Sequence, residues 1–166
     1  MTDLPAFEES FLKSMPRQAP RLADVMSGEG IAALSPFAAI VILTCFFGRN
    51  LVHLQRPGPQ DNDGDLNGEF WKRHRFYDNL LLHTALSMPD HLRLPTGIGD
   101  PNVIFWNMGL HAAAICLHQA SIFKAEKNRM ADSIVVESKR RSVVAADQIA
   151  STMRMISHMD LSLVSA

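Results

Sequence analysis

The stretch DPNVIFWNMGLHAAAICLHQASIFK, residues 100–124, predicts the fold class most directly. It opens with Asp100-Pro101, a helix start in which the side chain can cap free N–H groups and the proline suits the first helical position. Apolar residues and histidines then recur in steps of three and four, which is the helical period and places them on one face of a helix. Its members are Ile104, Met108, His111, Ile115, His118 and Ile122. We therefore expect a helix that runs to about Lys124.

An earlier start signal of the same kind, Ser35-Pro36, opens another helix, which Pro57 ends. Its members at helical spacing are Phe37, Ile40, Val41, Thr44, Phe47, Leu51 and Leu54. Residues 31–47 carry no charge, so this segment also resembles a short membrane span. A span needs about 20 apolar residues. Because Ser35-Pro36 interrupts the run, a buried core helix is the better interpretation.

Two further helices complete the pattern. One runs from Glu69 to a point before Pro89, and the last begins near Ser133. The stripe of the last helix is mostly small, so a neighbouring helix could approach it closely: Val135, Ser138, Ser142, Ala145, Ile149, Thr152 and Ile156. No alternating run predicts a strand. The sequence thus predicts an all-α fold, an irregular bundle of about four main helices plus short N-terminal helical pieces.

The composition limits the classes of protein that fit. The chain has 166 residues, 47% hydrophobic and 20% charged, which excludes a disordered or fibrous chain. A net charge of −1 provides no overall basic field to hold nucleic acid. Basic residues outnumber acidic ones within 124–141, but no aromatic residues interleave them, so a solvated helix face is the expected role. Residues 1–34, broken by prolines and glycines, are interpreted as a lead-in segment.

The two cysteines, Cys45 and Cys116, each stand alone inside an apolar run. This pattern predicts two buried free thiols in a reducing compartment, and it leaves one disulfide open. A cysteine-built zinc site needs paired ligands at short spacing, which this chain lacks.

Residues 61–67 resemble the start of a calcium loop, because side-chain oxygens recur at alternate positions. The rest of the pattern fails, since Leu66 stands where a sharp turn needs glycine and Lys72 stands where a bidentate glutamate is needed. We expect a solvated acidic loop. His74 and Asp78, four residues apart on one helix, are expected to form an ion pair or a hydrogen bond.

His111 and His118 are seven residues apart and share one helix face. A metal or acid/base site is conceivable there, but two hydrogen-bonded core or interface histidines are the preferred interpretation. The chain has no nucleophile elbow, phosphate loop or paired-cysteine motif. No motif therefore argues for catalysis.

From Ser35 onward, several stretches resemble the fungal-specific transcription factor domain, the middle regulatory region of binuclear zinc-cluster activators. The resemblance covers roughly residues 35–161, and it rests on the order and spacing of the pieces together. In chain order they are SPFAAIVILTCFFGRNLVHLQRP (35–57), EFWKRHRFYDN (69–79), PDHLRLP (89–95), DPNV (100–103), LHAAAICLHQA (110–120), KAEK (124–127), ESKR (137–140) and IASTMRMISHMDL (149–161).

The resemblance implies a non-enzymatic, all-helical regulatory domain at 35–166 of a nuclear protein. Such a domain would regulate transcription through protein partners of the transcription machinery, self-association or a small effector. Zinc would belong to an N-terminal cluster of six cysteines, which this chain lacks, so we expect no cofactor here and DNA contact only through that missing module. No membrane contact is expected. The family domain normally continues beyond Ala166, so we also expect a partial domain with exposed apolar surface and self-association or poor solubility.

An effector pocket is expected where large aromatic and histidine side chains could converge: Trp71, Tyr77, Trp106, His111 and His118. The alternative function is a small helical enzyme or a metal-binding bundle that uses His111 and His118.

Overall fold

A computed structural model describes residues 2–15, 19–55 and 63–158, without the side chains of residues 11, 54 and 55. Within these ranges the chain forms six α-helices, two short 3-10 turns and no sheet, which confirms the all-α prediction. The α-helices are α1 (Glu8–Leu12), α2 (Leu22–Met26), α3 (Pro36–Gln55), α4 (Glu69–Leu86), α5 (Pro101–Lys127) and α6 (Asp132–Ser157). The 3-10 turns are Ile31–Ala33 and Asp90–Leu92.

The capping residues set the helix starts where the sequence predicts them. The Asp100 carboxylate accepts a hydrogen bond from the Asn102 N–H at 2.8 Å, and the Ser35 hydroxyl accepts one from the Ala38 N–H at 3.1 Å. Helix α6 begins one residue before the predicted start, whereas α5 runs to Lys127, three residues beyond its predicted end. The predicted end of α3 at Pro57 and the first two residues of the calcium-like loop, 61 and 62, lie outside the described residues.

Helices α3 and α5 form the centre of the main core, but they bury faces other than the stripes that predict them. In α3 the described stripe is exposed or half-buried, and the buried residues are Ala38, Ala39, Ile42, Leu43, Phe46, Asn50 and His53. In α5 only His118 of its stripe is buried, whereas the core side chains are Val103, Trp106, Leu110, Ala113 and Leu117. Both helices are apolar almost all round, so their own period does not say which face meets a partner.

Close contact between α3 and α5 depends on Gly109. A Cβ atom at this position would lie 2.2 Å from a Leu43 methyl carbon, far inside van der Waals contact. The Asn50 side-chain amide crosses the same interface and donates a 3.1 Å hydrogen bond to the Ala113 carbonyl. This interface is therefore tightly packed and its one buried amide is satisfied.

Helix α6 packs along α5 through its stripe of small residues, as the sequence predicts. Ser138, Ala145 and Thr152 are buried, seven residues apart from one another, and the other four members are half-buried. The Ser138 hydroxyl donates a 2.9 Å hydrogen bond to the Ser121 hydroxyl across the interface. Outside this stripe α6 is mostly exposed, because α5 covers one side of it.

The N-terminal residues contribute to the same core as α3 and α5. Leu4, Val25, Met26 and Ile31 are buried within it. The Leu4 N–H donates to the Pro20 carbonyl at 3.0 Å, and the Ser35 hydroxyl donates to the Pro5 carbonyl at 2.8 Å. The division into a lead-in at 1–34 and a domain at 35–166 remains a prediction.

Among the described residues, α3 is the one helix long and apolar enough to cross a membrane by length and composition alone. Its buried apolar residues belong to the core shared with α5, which is the environment expected of a core helix. Both cysteines are free and half-buried rather than buried, so the prediction of buried thiols is wrong in that respect. Large exposed apolar side chains include Phe37, Phe105 and Phe123. Self-association through them remains a prediction.

Candidate functional site

A cavity of about 360 Å³ opens between α4, α5 and α6. This volume lies within the range of small-molecule sites, and so does the character of its lining, which is mostly apolar with a few polar groups. The apolar wall consists of Leu81, Leu82, Ala85, Leu110, Ala114, Val144 and Ala145. The polar members are Asp78, His111, His118, Arg140 and Arg141.

His118 and Asp78 meet at the inner wall of this cavity. The His118 Nε2 atom lies 3.4 Å from the Asp78 Oδ1 atom, and the His118 side chain is buried. A carboxylate cannot donate, so Nε2 must carry the proton that faces it. The His118 Nδ1 atom is buried with no hydrogen-bond partner among the described residues.

Asp78 also forms a short ion pair with Arg141, which reaches across from α6. Burial alone would raise the pKa of Asp78, but the hydrogen bond from His118 and the charge of Arg141 outweigh it and lower that pKa below its usual range. Asp78 is therefore ionised at neutral pH. It ties α4 to both neighbouring helices through charged contacts.

Glu137 holds the two arginines at the rim of the cavity. Arg140 binds its carboxylate with two hydrogen bonds of 2.8 Å, and Arg141 adds a third of 2.8 Å. Hydrogen bonds from Arg140 and then Arg141 lower the pKa of Glu137 to about 2. The two arginines are thus balanced by two ionised carboxylates.

His111, about one turn before Ala114 in α5, lines the same cavity and is half-buried. Burial lowers the pKa of this imidazole from its ordinary value of 6.5, because the charged form is less well solvated there. His111 is therefore neutral at pH 7 and offers both a donor and an acceptor nitrogen.

A cluster of buried and half-buried rings, which includes the cavity residue His118, lies where α3, α4 and α5 meet. The ring centroids of His74 and His118 are 5.5 Å apart, those of Trp71 and His74 are 5.7 Å apart, and those of His53 and Tyr77 are 5.7 Å apart. Burial, followed by the charge of His118, lowers the pKa of His74 to about 4. His74 is therefore neutral at physiological pH and serves as part of the packed wall.

The five residues predicted to form an effector pocket do not converge. Only His111 and His118 line the cavity, whereas Trp71 and Tyr77 belong to the ring cluster behind it. Trp106 is fully buried in the main core, and Trp71 donates its indole N–H to the Asp63 carbonyl at 2.8 Å. The bulk of a tryptophan is accommodated here by core packing rather than by a ligand site.

Two expectations about charged residues also change. The contacts of Asp78 are with His118 and Arg141 rather than an ion pair with its helical neighbour His74. Four of the six basic residues in 124–141 pair with carboxylates instead of forming only a solvated face: Lys124 with Asp63, Lys139 with Glu126, Arg140 with Glu137 and Arg141 with Asp78.

The described residues include no group of three or more His, Cys, Asp or Glu placed to hold a metal ion. In the described part of the calcium-like loop, the Asp63 carboxylate pairs with Lys124. The polar cavity residues other than the two histidines were missed as site residues by sequence reasoning. Their signals were helical spacings, of Asp78 with His74 and of Arg140 and Arg141 with Glu137. Such spacings predict pairs along one helix but not partners on other helices.

A second, larger groove of about 650 Å³ lies beside the starts of α3 and α5. Its lining includes Phe7, Glu8, Glu9 and Phe37. Asp100 also lines it, but this side chain is already engaged as a helix cap. None of the residues that line this groove has a buried side-chain atom without a hydrogen-bond partner among the described residues.

Comparison with known proteins supports the family resemblance. The chain is 26% identical over 148 residues to the pigment biosynthesis transcriptional activator pigB of Monascus ruber, a match that covers 89% of this chain and 27% of that protein. It is 29% identical over 119 residues to the transcription factor tazR of Aspergillus terreus, covering 70% and 19%. These relatives are fungal transcription factors. The asperfuranone cluster transcription factor afoA of Emericella nidulans is also similar, at 24% identity over 113 residues, covering 63% of this chain and 17% of afoA.

The chain thus spans about a quarter or less of the length of these relatives. These matches confirm the resemblance to fungal transcription factors that the sequence predicts. No protein-family model matches the chain, and no solved structure matches it.

Proposed function

We propose that this chain is a non-enzymatic regulatory segment of a fungal transcription factor that acts in the nucleus. In this proposal it modulates transcription through contacts with proteins of the transcription machinery or through a small effector. DNA contact and zinc binding belong to a six-cysteine module that residues 1–166 do not contain, so the chain itself needs no cofactor.

The observation that carries the proposal is the similarity to fungal transcription factors along 89% of the chain in one relative and 70% in another. The structure is compatible with it, because Asp78 of the cavity is engaged by His118 and Arg141 from the two neighbouring helices. No specific observation favours the alternative of an enzyme or a metal-binding bundle at His111 and His118.

The test is a tethering experiment in a filamentous fungus. Residues 1–166 are fused to an unrelated DNA-binding domain, and a reporter gene carrying its sites is measured. We expect the fusion to change reporter output several-fold, in either direction, relative to the DNA-binding domain alone. Because the fused DNA-binding domain would itself direct the fusion to the nucleus, localisation needs a separate test. A fluorescent tag on the full-length native protein provides it, and we expect a nuclear signal.

A matched pair of variants separates a folded regulatory surface from a nonspecific effect. Trp106→Ala opens the core and is expected to abolish the reporter change, whereas Phe105→Ala, at the adjacent exposed position, is expected to retain it. Equal reporter output from the wild-type fusion and the DNA-binding domain alone, at equal protein abundance, would contradict the proposal. Purified residues 1–166 should also leave the fluorescence anisotropy of labelled duplex DNA unchanged at physiological salt.

A further inference from the structure

His111 differs from the other polar side chains that line the cavity between α4, α5 and α6, because it is accessible and not engaged. It is half-buried, and no hydrogen bond, ion pair or ring contact joins it to another of the described residues. Its ring nitrogens are not among the fully buried, unpartnered polar atoms of that part of the chain, so a molecule in the cavity can reach them. The neutral ring offers one N–H donor and one acceptor nitrogen.

The charged groups at the cavity are already paired. Arg140 binds the Glu137 carboxylate. Arg141 binds the Asp78 carboxylate. His111 itself is neutral at pH 7.5, because burial lowers the pKa of its ring from the ordinary value of 6.5. A charged guest would have to compete for one of these pairs or stay unpaired beside an apolar wall, so the electrostatics favour a neutral guest.

Most of the surface that a guest would cover is apolar. It comes from three helices, with Leu81 and Leu82 on α4, Leu110 on α5 and Val144 on α6. Leu82 is 55% exposed and Val144 is 49% exposed, so a guest would remove apolar area from water without opening the core. The volume of about 360 Å³ limits such a guest to a small molecule.

We propose that this cavity binds a small, neutral, mostly apolar molecule whose single hydroxyl or carbonyl group forms a hydrogen bond with the His111 imidazole. The inference deepens the proposed function by naming the chemical class of the effector, and its regulatory meaning rests on that function. Binding itself is a property of the purified chain and is measured without any transcription assay.

The experiment uses four probes that share the naphthalene ring system. Acetylnaphthalene carries a carbonyl acceptor, naphthylethanol a hydroxyl group, ethylnaphthalene no polar group and naphthoate a negative charge. Equilibrium dialysis and thermal unfolding of the full chain at pH 7.5 measure affinity and stabilisation. We expect the carbonyl and hydroxyl probes to bind and to raise the Tm, and naphthoate to bind more weakly than either.

A histidine substitution isolates the hydrogen bond. His111→Phe keeps a ring of similar size and removes both nitrogens. It should lower the affinity for acetylnaphthalene and naphthylethanol about fivefold and leave that for ethylnaphthalene unchanged. Comparing the probes within each variant separates the hydrogen bond from the apolar contact, because the ring system is common to all of them. His83→Phe, at an exposed histidine of α4 outside the cavity lining, is the matched control and should leave every affinity unchanged.

A second pair of variants assigns the binding to this cavity. Leu82→Asp places a charge in the apolar wall and is expected to abolish the binding of acetylnaphthalene. Leu86→Asp, one turn further along α4 and outside the cavity lining, is the matched control and should bind like the wild type. Both side chains are more than half exposed, so both variants are expected to fold.

Absence of binding by every probe to the folded chain would overturn the proposal, and so would equal losses in the Leu82 and Leu86 variants. Equal losses for the polar probes and ethylnaphthalene in His111→Phe would overturn the role of His111, and tighter binding of naphthoate would overturn the charge argument. A dimer in sedimentation velocity that Leu82→Asp breaks would assign this face to a second copy of the chain and would also overturn the proposal.

The binding assay and the tethered reporter distinguish this inference from the proposed function. If no probe binds while the reporter still responds, the inference falls and the proposed regulatory function stands. If the probes bind as expected while the reporter does not respond, the cavity is a binding site and the proposed regulatory function falls.

Discussion

Helix α5 contacts two very different surfaces. Toward α3 it presents Trp106, Gly109 and Ala113 to a tightly packed apolar face, where the buried Asn50 amide donates a hydrogen bond to the Ala113 carbonyl. Toward α6 it presents Ser121 and His118 to small residues, ion pairs and an open cavity. One helix therefore forms a closely packed apolar contact on one side and a more polar contact, which borders a cavity, on the other.

The two sides of α5 gain stability from different kinds of contact. Burial of large apolar side chains supplies most of the stability, and here such side chains concentrate on the α3 side. The α6 side gains little from apolar burial, because its central residues are Ser138, Ala145 and Thr152. It relies instead on directional contacts, such as the hydrogen bond between the Ser138 and Ser121 hydroxyls. The predictions below test this contrast.

The largest loss of stability is expected in the apolar core between α3 and α5. Trp106→Ala removes the largest fully buried side chain and should lower the free energy of unfolding by about 3–5 kcal/mol. Phe105→Ala, at the adjacent exposed position, should change it by less than about 0.5 kcal/mol. Urea denaturation followed by circular dichroism measures both. Similar losses of unfolding free energy in the two variants would show that the face of α5 that carries Trp106 is not the buried one.

A smaller loss is expected from crowding the same interface. Gly109→Ala forces a methyl group against Leu43 and should cost about 1–3 kcal/mol. The matched control is Gly48→Ala in α3, where a Cβ atom meets nothing within 4 Å. That change should instead stabilise the chain by about 0.5–1 kcal/mol, because alanine favours a helix more than glycine does. A stabilising Gly109→Ala would refute the close approach of α3 and α5.

Acid should weaken the ring cluster behind the cavity. The pKa of His74 is lowered to about 4 in the folded chain, against 6.5 as its ordinary value. Between these values the unfolded chain binds more protons than the folded one, so the free energy of unfolding falls as the pH drops from 6.5 toward 4. His74 alone should remove about 2 kcal/mol at pH 5.

His74→Phe keeps an aromatic ring but cannot titrate, and His74→Gln removes both the ring and the titration. Denaturation of wild type and both variants at pH 7.5 and pH 5 measures the change with pH in each. We expect both variants to lose less stability on acidification than the wild type does. An unchanged pH dependence in both would place the acid sensitivity at other groups.

The smallest effect is expected at the polar contact between α5 and α6. Ser121→Ala and Ser138→Ala should each cost about 1 kcal/mol, because each removes one partner of a buried hydrogen bond. The double variant should cost less than their sum, with a coupling energy of about 0.5–1.5 kcal/mol. Ser142→Ala, on the same stripe but half-buried, should couple to neither. Strict additivity of Ser121 and Ser138 would mean that their hydroxyls do not interact.

Local sequence by itself determines where the main helices begin. Asp100 and Ser35 cap the turns that follow them, and proline at the next position suits a helix start, so α5 and α3 begin where predicted. The stripe of α6 was readable because every charged side chain of that helix lies outside it, which leaves one face able to pack. The resemblance to fungal transcription factors was likewise carried by local stretches in order.

Tertiary structure decided which faces meet and where the candidate site lies. Helices α3 and α5 are apolar almost all round, so their sequence period left several faces open, and the close fit of Leu43 against Gly109 selected one. The cavity depends on Asp78, His118 and Arg141, which come from three helices, with Asp78 and Arg141 63 residues apart. Spacing along one helix reports only its own neighbours, whereas a charge network between helices exists only after they pack.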